Sequence, residues 1–194
     1  MLRRSQKIEG MISDQEAALL TRLAGEIDEG CIVEVGSYRG MSTIALAKGA
    51  HVPVYAIEPH EEFQGVLGGM FGAADRRAFF ENLLRAGVVE QVRLVNLSSE
   101  VVSPGWQLPI GFLWIDGDHR YEAVRRDFFS WEPHLHGKVA FHDAIQPTLG
   151  SAQLVDELLD NGFELVEHVQ GTKVLRRSGF DRDASPERQV NAYR

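Results

Sequence analysis

Residues 31–48, CIVEVGSYRGMSTIALAK, constrain the fold of this chain more than any other stretch. Cys31 to Val35 is a short apolar run broken only by Glu34, and Met41, Ile44, Ala45 and Lys48 follow at helical spacing. A buried strand therefore leads through Gly36 and Gly40 into a helix. Such a junction is a ligand cradle. Gly36 lets the backbone come close to a ligand, and the first helical amides after Gly40 offer unpaired N–H groups to a carboxylate or phosphate.

The glycine spacing narrows the ligand. From Glu34 to Gly40 it reads E-x-G-x-x-x-G, not the dinucleotide fingerprint G-x-G-x-x-G, whose first glycine is replaced by Glu34. A second acid, Glu58, ends the run 52–58, where a carboxylate can take both hydroxyls of a ribose. NAD and S-adenosylmethionine use such an acid alike. Glu34 discriminates, because a carboxylate beside the cradle tolerates an ammonium and a sulfonium and repels a pyrophosphate. The spacing resembles motif I of the Rossmann-like S-adenosylmethionine methyltransferases; the competing reading is a generic strand–turn–helix with a solvated Glu58.

Strands and helices alternate from Cys31 onward, the pattern of a parallel sheet covered on both faces. Strands are expected at 31–35, 52–57, 92–96, 112–115 and 139–141, with a helix over 151–160. Residues 163–169 and 172–176 are separated only by Gln170 and Gly171, which makes them an antiparallel pair. Ahead of the sheet, Ser13 and Glu16 have capping-box spacing and open a packing helix stopped by Gly30; residues 1–10 fray, cover the cofactor or join a subunit contact. The loop 59–72 mixes glycines with Phe63, Val66, Leu67, Met70 and Phe71 and reads as a lid or a subunit contact, so a homo-oligomer is an open expectation. A helix from Asp75 to about Ala86 should turn Phe79, Phe80, Leu83 and Leu84 to the core. Residues 1–177 are taken as one domain and the polar segment 178–194 as a tail.

Charge and cysteine content exclude several classes. A formal charge of −8 disfavours nucleic acid as partner, since neutralising phosphates needs clustered Lys and Arg. The single cysteine, Cys31, forms no intrachain disulfide and fits a reducing compartment. With no apolar segment behind Arg3 and Arg4 and no long apolar run, a cytoplasmic protein without membrane contact is expected.

Open α/β sheets bind ligands at the carboxyl ends of their strands, and two such ends carry chemistry here. One gives Asp116, Asp118 and His119; the next gives His142 and Asp143. These are the residue types of a metal or acid–base site. The segments E-V-G-S-x-x-G-x-S-T, I-E-P-H, W-I-D-G-D-H-x-Y-E and F-H-D together resemble a class I methyltransferase subfamily that includes macrolide-sugar and cephalosporin-pathway O-methyltransferases, and more distantly catechol O-methyltransferases. The likeness spans roughly residues 12–177, and D-G-D-H-x-Y is its most specific part.

The resemblance implies a seven-stranded, mostly parallel Rossmann-like sheet ending in a C-terminal antiparallel hairpin, with helices on both faces. It implies S-adenosylmethionine held by Glu34, Gly36, Ser37, Gly40, Ser42, Glu58, Ser98 and Asp116, with Trp106 as a lid over the adenine. It implies a divalent cation, Mg²⁺ or Mn²⁺, on Asp116, His142 and Asp143, with His119 as general base. His142 departs from the subfamily, which carries an acid there. An imidazole at this place either recruits Mn²⁺, Fe²⁺, Co²⁺ or Zn²⁺, turns away from the ion, or marks loss of the metal. Three readings stand: metal-assisted O-methylation of a small hydroxylated acceptor, metal-free N- or O-methylation on a histidine base, and a noncatalytic cofactor-binding domain.

Overall fold

A computed structural model of the chain describes residues 10–179. The expectations for residues 1–9 and for the tail beyond 179 lie outside the described residues. Seven strands form one sheet: β1 (Cys31–Val35), β2 (Val54–Ile57), β5 (Val92–Val95), β6 (Ile110–Ile115), β7 (Leu135–Phe141), β8 (Phe163–Val169) and β9 (Thr172–Arg177). Their order is β5-β2-β1-β6-β7-β9-β8. The first five are parallel, β9 is antiparallel to β7, and β8 pairs antiparallel with β9. The chain leaves β1 towards β2 on one side and returns to β6 on the other, so a crevice opens at the carboxyl ends of β1 and β6.

Alternating side chains send the strands' residues to two cores. On one face Ile32, Val54, Phe112, Trp114, Ala140 and Val174 pack under α1 (Asp14–Ala24), α2 (Met41–Gly49) and α3 (Ala73–Ala86). On the other, Val33, Leu113, Ile115, Val139, Phe141 and Leu175 meet α5 (Tyr121–Trp131) and α6 (Gly150–Asp160). A short helix α4 (Ser99–Val102) adds Val102 to that second core. Burial of this kind, at about 25 cal/mol per Å² of apolar surface, is the main force holding the sheet. No helix among the described residues is long and apolar enough to cross a membrane.

Several expectations change. Strand β7 begins at Leu135, not 139, because Gly137 lies against the Gly111 backbone, where a Cβ would come within 1.9 Å of the Gly111 carbonyl. Of the four apolar residues expected to face the core from α3, Phe79 and Leu83 are buried, while Phe80 and Leu84 are 43% and 64% exposed, on the outer side of the helix. The loop 59–72 contains a two-stranded hairpin, β3 (Phe63–Gln64) and β4 (Met70–Phe71), in which Phe63 stacks on Phe71 with centroids 4.8 Å apart.

Candidate active site

Register brings the acid and imidazole groups together. Trp114 pairs with Ala140 and Ile115 with Phe141, so the next residues, Asp116 and His142, leave the sheet side by side. Asp116 N donates to Val35 O (2.8 Å) and His142 N to Ile115 O (3.1 Å), which fixes both backbones to the strand ends. By the two-residue alternation, both side chains lie on the α1/α2 face. Gly36 permits the arrangement: at φ +85° a Cβ there would meet Asp116 O at 2.4 Å and Gly117 Cα at 2.6 Å. The glycine's bareness thus serves the approach of β6 as well as that of a ligand.

A cavity of about 350 Å³ opens over these strand ends. Its floor includes Gly36, Ser37, Ser42, Glu58, Asp116, His119 and Asp143, and its roof the hairpin residues Phe63, Val66, Leu67 and Phe71, with Met11 and Ile12 at one side. That volume suits a nucleoside-sized ligand. Two features fit an S-adenosyl group. Glu58 holds its carboxylate at the cavity by accepting from Tyr38 N (3.1 Å) and His60 N (2.9 Å), which leaves an acid facing whatever fills it. Ser37 is buried at the cavity wall with its hydroxyl unpartnered, a polar atom a ligand would satisfy. Tyr38, His60 and Asp143 all have positive φ (46°, 52° and 50°), so the backbone itself is held in uncommon conformations around the site.

Other residues expected at the cofactor stand away from the cavity. Glu34 is fully buried beneath it, its two oxygens accepting from Ser42 Oγ and Thr43 Oγ1, each at 2.5 Å. Burial, opposed by those two hydroxyls, pushes its pKa up to about 8. Its charge therefore cannot repel a pyrophosphate as the sequence suggests; it ties the first turn of α2 to β1. Gly40 is the left-handed N-cap of α2 and faces Phe79. Ser98 precedes α4 and does not line the cavity, while its neighbour Asn96 donates to Glu58 O and Pro59 O, both at 2.7 Å, and so braces the Glu58 loop. Trp106 packs edge-on against Tyr55 and Trp131 in the α5/α6 core, with its indole N–H on Leu108 O.

The acid–imidazole cluster is tight. His119 Nε2 is 3.0 Å from Asp143 Oδ2 and 4.0 Å from Asp116 Oδ1, and the start of α6 holds its backbone through Gly150 N to His119 O at 2.8 Å. His142 lies behind the cavity wall, only 4% exposed, with Nδ1 2.9 Å from Asp116 Oδ1 and 3.7 Å from Asp143 Oδ2. The contact with Asp116 is short but falls outside hydrogen-bond alignment, so Nδ1 is held by charge more than by direction. Burial pulls the His142 pKa down, but Asp116, Asp143 and Glu16 outweigh it and raise it to about 9. For His119 too, burial is outweighed by Asp143 and Asp116, and the pKa rises; the His119 hydrogen bond holds Asp143 below its usual range.

Asp116, His119 and His142 each offer one ligand atom within 4.8 Å of the others, so the donor set includes His119, which sequence reading made a base only. A buried, unpartnered imidazole nitrogen beside a carboxylate suits a cation, so the residues fit a metal ion.

Three residues that sequence reading did not assign belong to this place. Glu16, read as a helix cap, does form the capping box with Ser13, but its Oε1 also accepts from Gly171 N (3.1 Å) and Thr172 Oγ1 (2.9 Å) and faces His142 Nε2 at 3.6 Å. Asp118 lines the cavity and pairs with Arg120, whose Nη2 donates to Gln64 O of the hairpin at 3.0 Å. For Asp118 the D-G-D-H segment was a signal; Glu16 and Arg120 act through long-range contacts that spacing does not display.

Comparison with known proteins agrees with this geometry. Among solved structures, the chain resembles the O-methyltransferase TomG of Streptomyces achromogenes, involved in tomaymycin synthesis and solved with S-adenosylmethionine (16% identity, 87% of this chain and 82% of that one, TM-score 0.66). It also resembles an O-methyltransferase of Bacillus cereus solved with S-adenosylhomocysteine (15%, 86% and 83%, TM-score 0.65). A third likeness is to an rRNA methylase of Streptococcus thermophilus (14%, 87% and 99%, TM-score 0.61). At these identities the likeness is one of fold. The family model described as "Methyltransferase domain" matches residues 33–144, more than half of the chain, from the middle of β1 to the residue after Asp143. With that match spanning the Gly36 turn, Glu58 and the strand-end cluster, the chain belongs to the methyltransferase-domain family.

Proposed function

We propose that this protein transfers a methyl group from S-adenosylmethionine to a hydroxyl oxygen of a small acceptor such as a sugar or natural product. The observation that carries the reading is that Glu58 and the Gly36 turn share one cavity with Asp116, His119 and Asp143. A nucleoside at one end of that cavity meets acid–base groups at the other. The cofactors bound in TomG and in the Bacillus cereus protein support the choice of donor. A small-molecule acceptor is in keeping with the formal charge of −8.

Methyl transfer from a sulfonium is an in-line displacement that needs alignment, a deprotonated nucleophile and exclusion of water. Glu58 takes the two ribose hydroxyls, and Ser37 gives its unpartnered hydroxyl to the ligand. His119 accepts the proton of the acceptor at the ring nitrogen not turned to Asp143, and Asp143 stabilises the resulting imidazolium from 3.0 Å. The hairpin β3–β4, held by Arg120, keeps water from the cavity. A divalent cation on Asp116, His119 and His142 would supply Lewis acidity that lowers the pKa of the acceptor hydroxyl and lessens the need for a separate base.

The test is calorimetric titration of the chelated protein with S-adenosylhomocysteine, followed by methyl transfer to a panel of hydroxylated acceptors. Micromolar binding is expected, together with a rate loss on the order of 10² for His119→Ala measured in chelator. Absence of binding would remove the donor and the mechanism with it.

A further inference from the structure

We infer that the strand-end cluster is built for a borderline transition cation, of the class of Zn²⁺, Co²⁺ or Fe²⁺, in preference to Mg²⁺, with Asp116, His119 and His142 as donors and Glu16 as the residue that orients His142. The inference rests on the proposed methyltransferase reading only for what the ion would do, not for whether it binds.

Geometry comes first. Two donors on one ion with bonds of about 2.1 Å lie about 3.0 Å apart at neighbouring corners of an octahedron and about 3.4 Å apart in a tetrahedron. Here Asp116 Oδ1 is 2.9 Å from His142 Nδ1 and 4.0 Å from His119 Nε2, and all three atoms fall within 4.8 Å of one another. Asp143 Oδ2, 3.0 Å from His119 Nε2 and 3.7 Å from His142 Nδ1, brings another oxygen to the same point.

The state of His142 is the second, independent observation. It is 4% exposed, and its Nδ1 makes no hydrogen bond although it points into this cluster. A buried ring nitrogen without a partner is costly unless something else uses its lone pair. The opposite nitrogen has a carboxylate of its own. Nε2 faces Glu16 Oε1, and Glu16 is fixed by Ser13 N, Ser13 Oγ, Gly171 N and Thr172 Oγ1. With Glu16 beside Nε2 to hold the ring from behind, a cation that displaces the proton at Nδ1 would meet an oriented imidazole, the usual support for a ligating histidine.

Donor chemistry then sets the cation. Mg²⁺ takes oxygen ligands and keeps much of its water, whereas imidazole suits the later divalent ions. Two imidazoles among three donors put this site with the latter.

The experiment uses the full chain, chelated and then titrated with Co²⁺, whose visible d–d absorption reports nitrogen ligation directly and without turnover. One Co²⁺ per chain is expected, displaced by Zn²⁺ and indifferent to excess Mg²⁺. His142→Asp should narrow the preference, weakening Co²⁺ and strengthening Mg²⁺, and should shift the Co²⁺ absorption as one nitrogen donor is lost. Glu16→Gln should weaken Co²⁺ by about 10- to 100-fold. No Co²⁺ signal, equal competition by Mg²⁺, or an unchanged Co²⁺-to-Mg²⁺ affinity ratio in His142→Asp would overturn the inference. Unchanged Co²⁺ affinity in a folded Glu16→Gln chain would overturn the part given to Glu16; if that variant does not fold, His142→Asp still decides the cation class. S-adenosylhomocysteine binding in chelator reports separately on the methyltransferase reading, so the two fail independently.

Discussion

Glu34 illustrates how a single buried acid can change meaning between sequence and fold. The unfolded chain ionises a glutamate near 4.5, while the folded chain holds Glu34 protonated up to about 8. Between those values the folded state binds the extra proton, so rising pH favours the unfolded chain and stability falls across that window. Glu34→Gln keeps the shape and can still bond both hydroxyls. We expect it to melt higher than the parent at pH 8, to lose that advantage near pH 4.5, and to flatten the pH dependence between. Thermal melts at several pH values measure this; parallel curves for the two proteins would mean that Glu34 is ionised in the fold.

At the scale of elements, the hairpin β3–β4 is the part of the site with the least to hold it. Phe71 meets Tyr38 edge-on at 5.1 Å, and Arg120 Nη2 bonds Gln64 O, but the hairpin is outside the main sheet and exposes Leu67 and Met70. Arg120 is itself half-exposed, and such contacts contribute little to stability. Arg120→Ala is therefore expected to leave the melting temperature nearly unchanged while speeding dissociation of S-adenosylhomocysteine several-fold. A dissociation rate equal to the parent's would show that this clasp does not hold the hairpin down. Elements of this size are also where sequence reading fell short. The parallel core strands were legible because apolar runs between glycines mark them. The hairpin was not, since each of its strands is two residues long and offers no alternation to read. The first half of β7 was hidden because His136, Gly137 and Lys138 look like a loop until Gly111 lies beside them. Ser98 and Trp106, expected at the adenine, stand outside the cavity lining, Ser98 ahead of α4 and Trp106 against Tyr55 and Trp131.

For the whole molecule, the sheet acts as a ruler. Because β1, β6 and β7 run parallel in fixed register, Gly36, Asp116 and His142 leave it at one level, and no loop has to find them. A ligand that bridges those strand ends binds the folded chain and not the unfolded one. At about 100 times its Kd, S-adenosylhomocysteine should therefore add about 2.7 kcal/mol of stability, a rise of roughly 5–10 °C in Tm for a domain of this size. A melt unmoved by saturating ligand would place its binding outside this register-built site. The convergence of Asp116, His119, His142 and Asp143 was readable in outline from two neighbouring strand ends. Glu16 was not, because it lies about 155 residues from the turn it grips.

That grip bears on how the protein is made. Every residue lining the cavity precedes residue 144, so a chain still emerging from the ribosome holds the whole lining before its last hairpin exists. Until Gly171 and Thr172 have been synthesised, Ser13 alone holds the Glu16 carboxylate, and Oε1, the oxygen that faces His142, lacks both of its donors. The last hairpin therefore completes the bonds of the residue that faces His142.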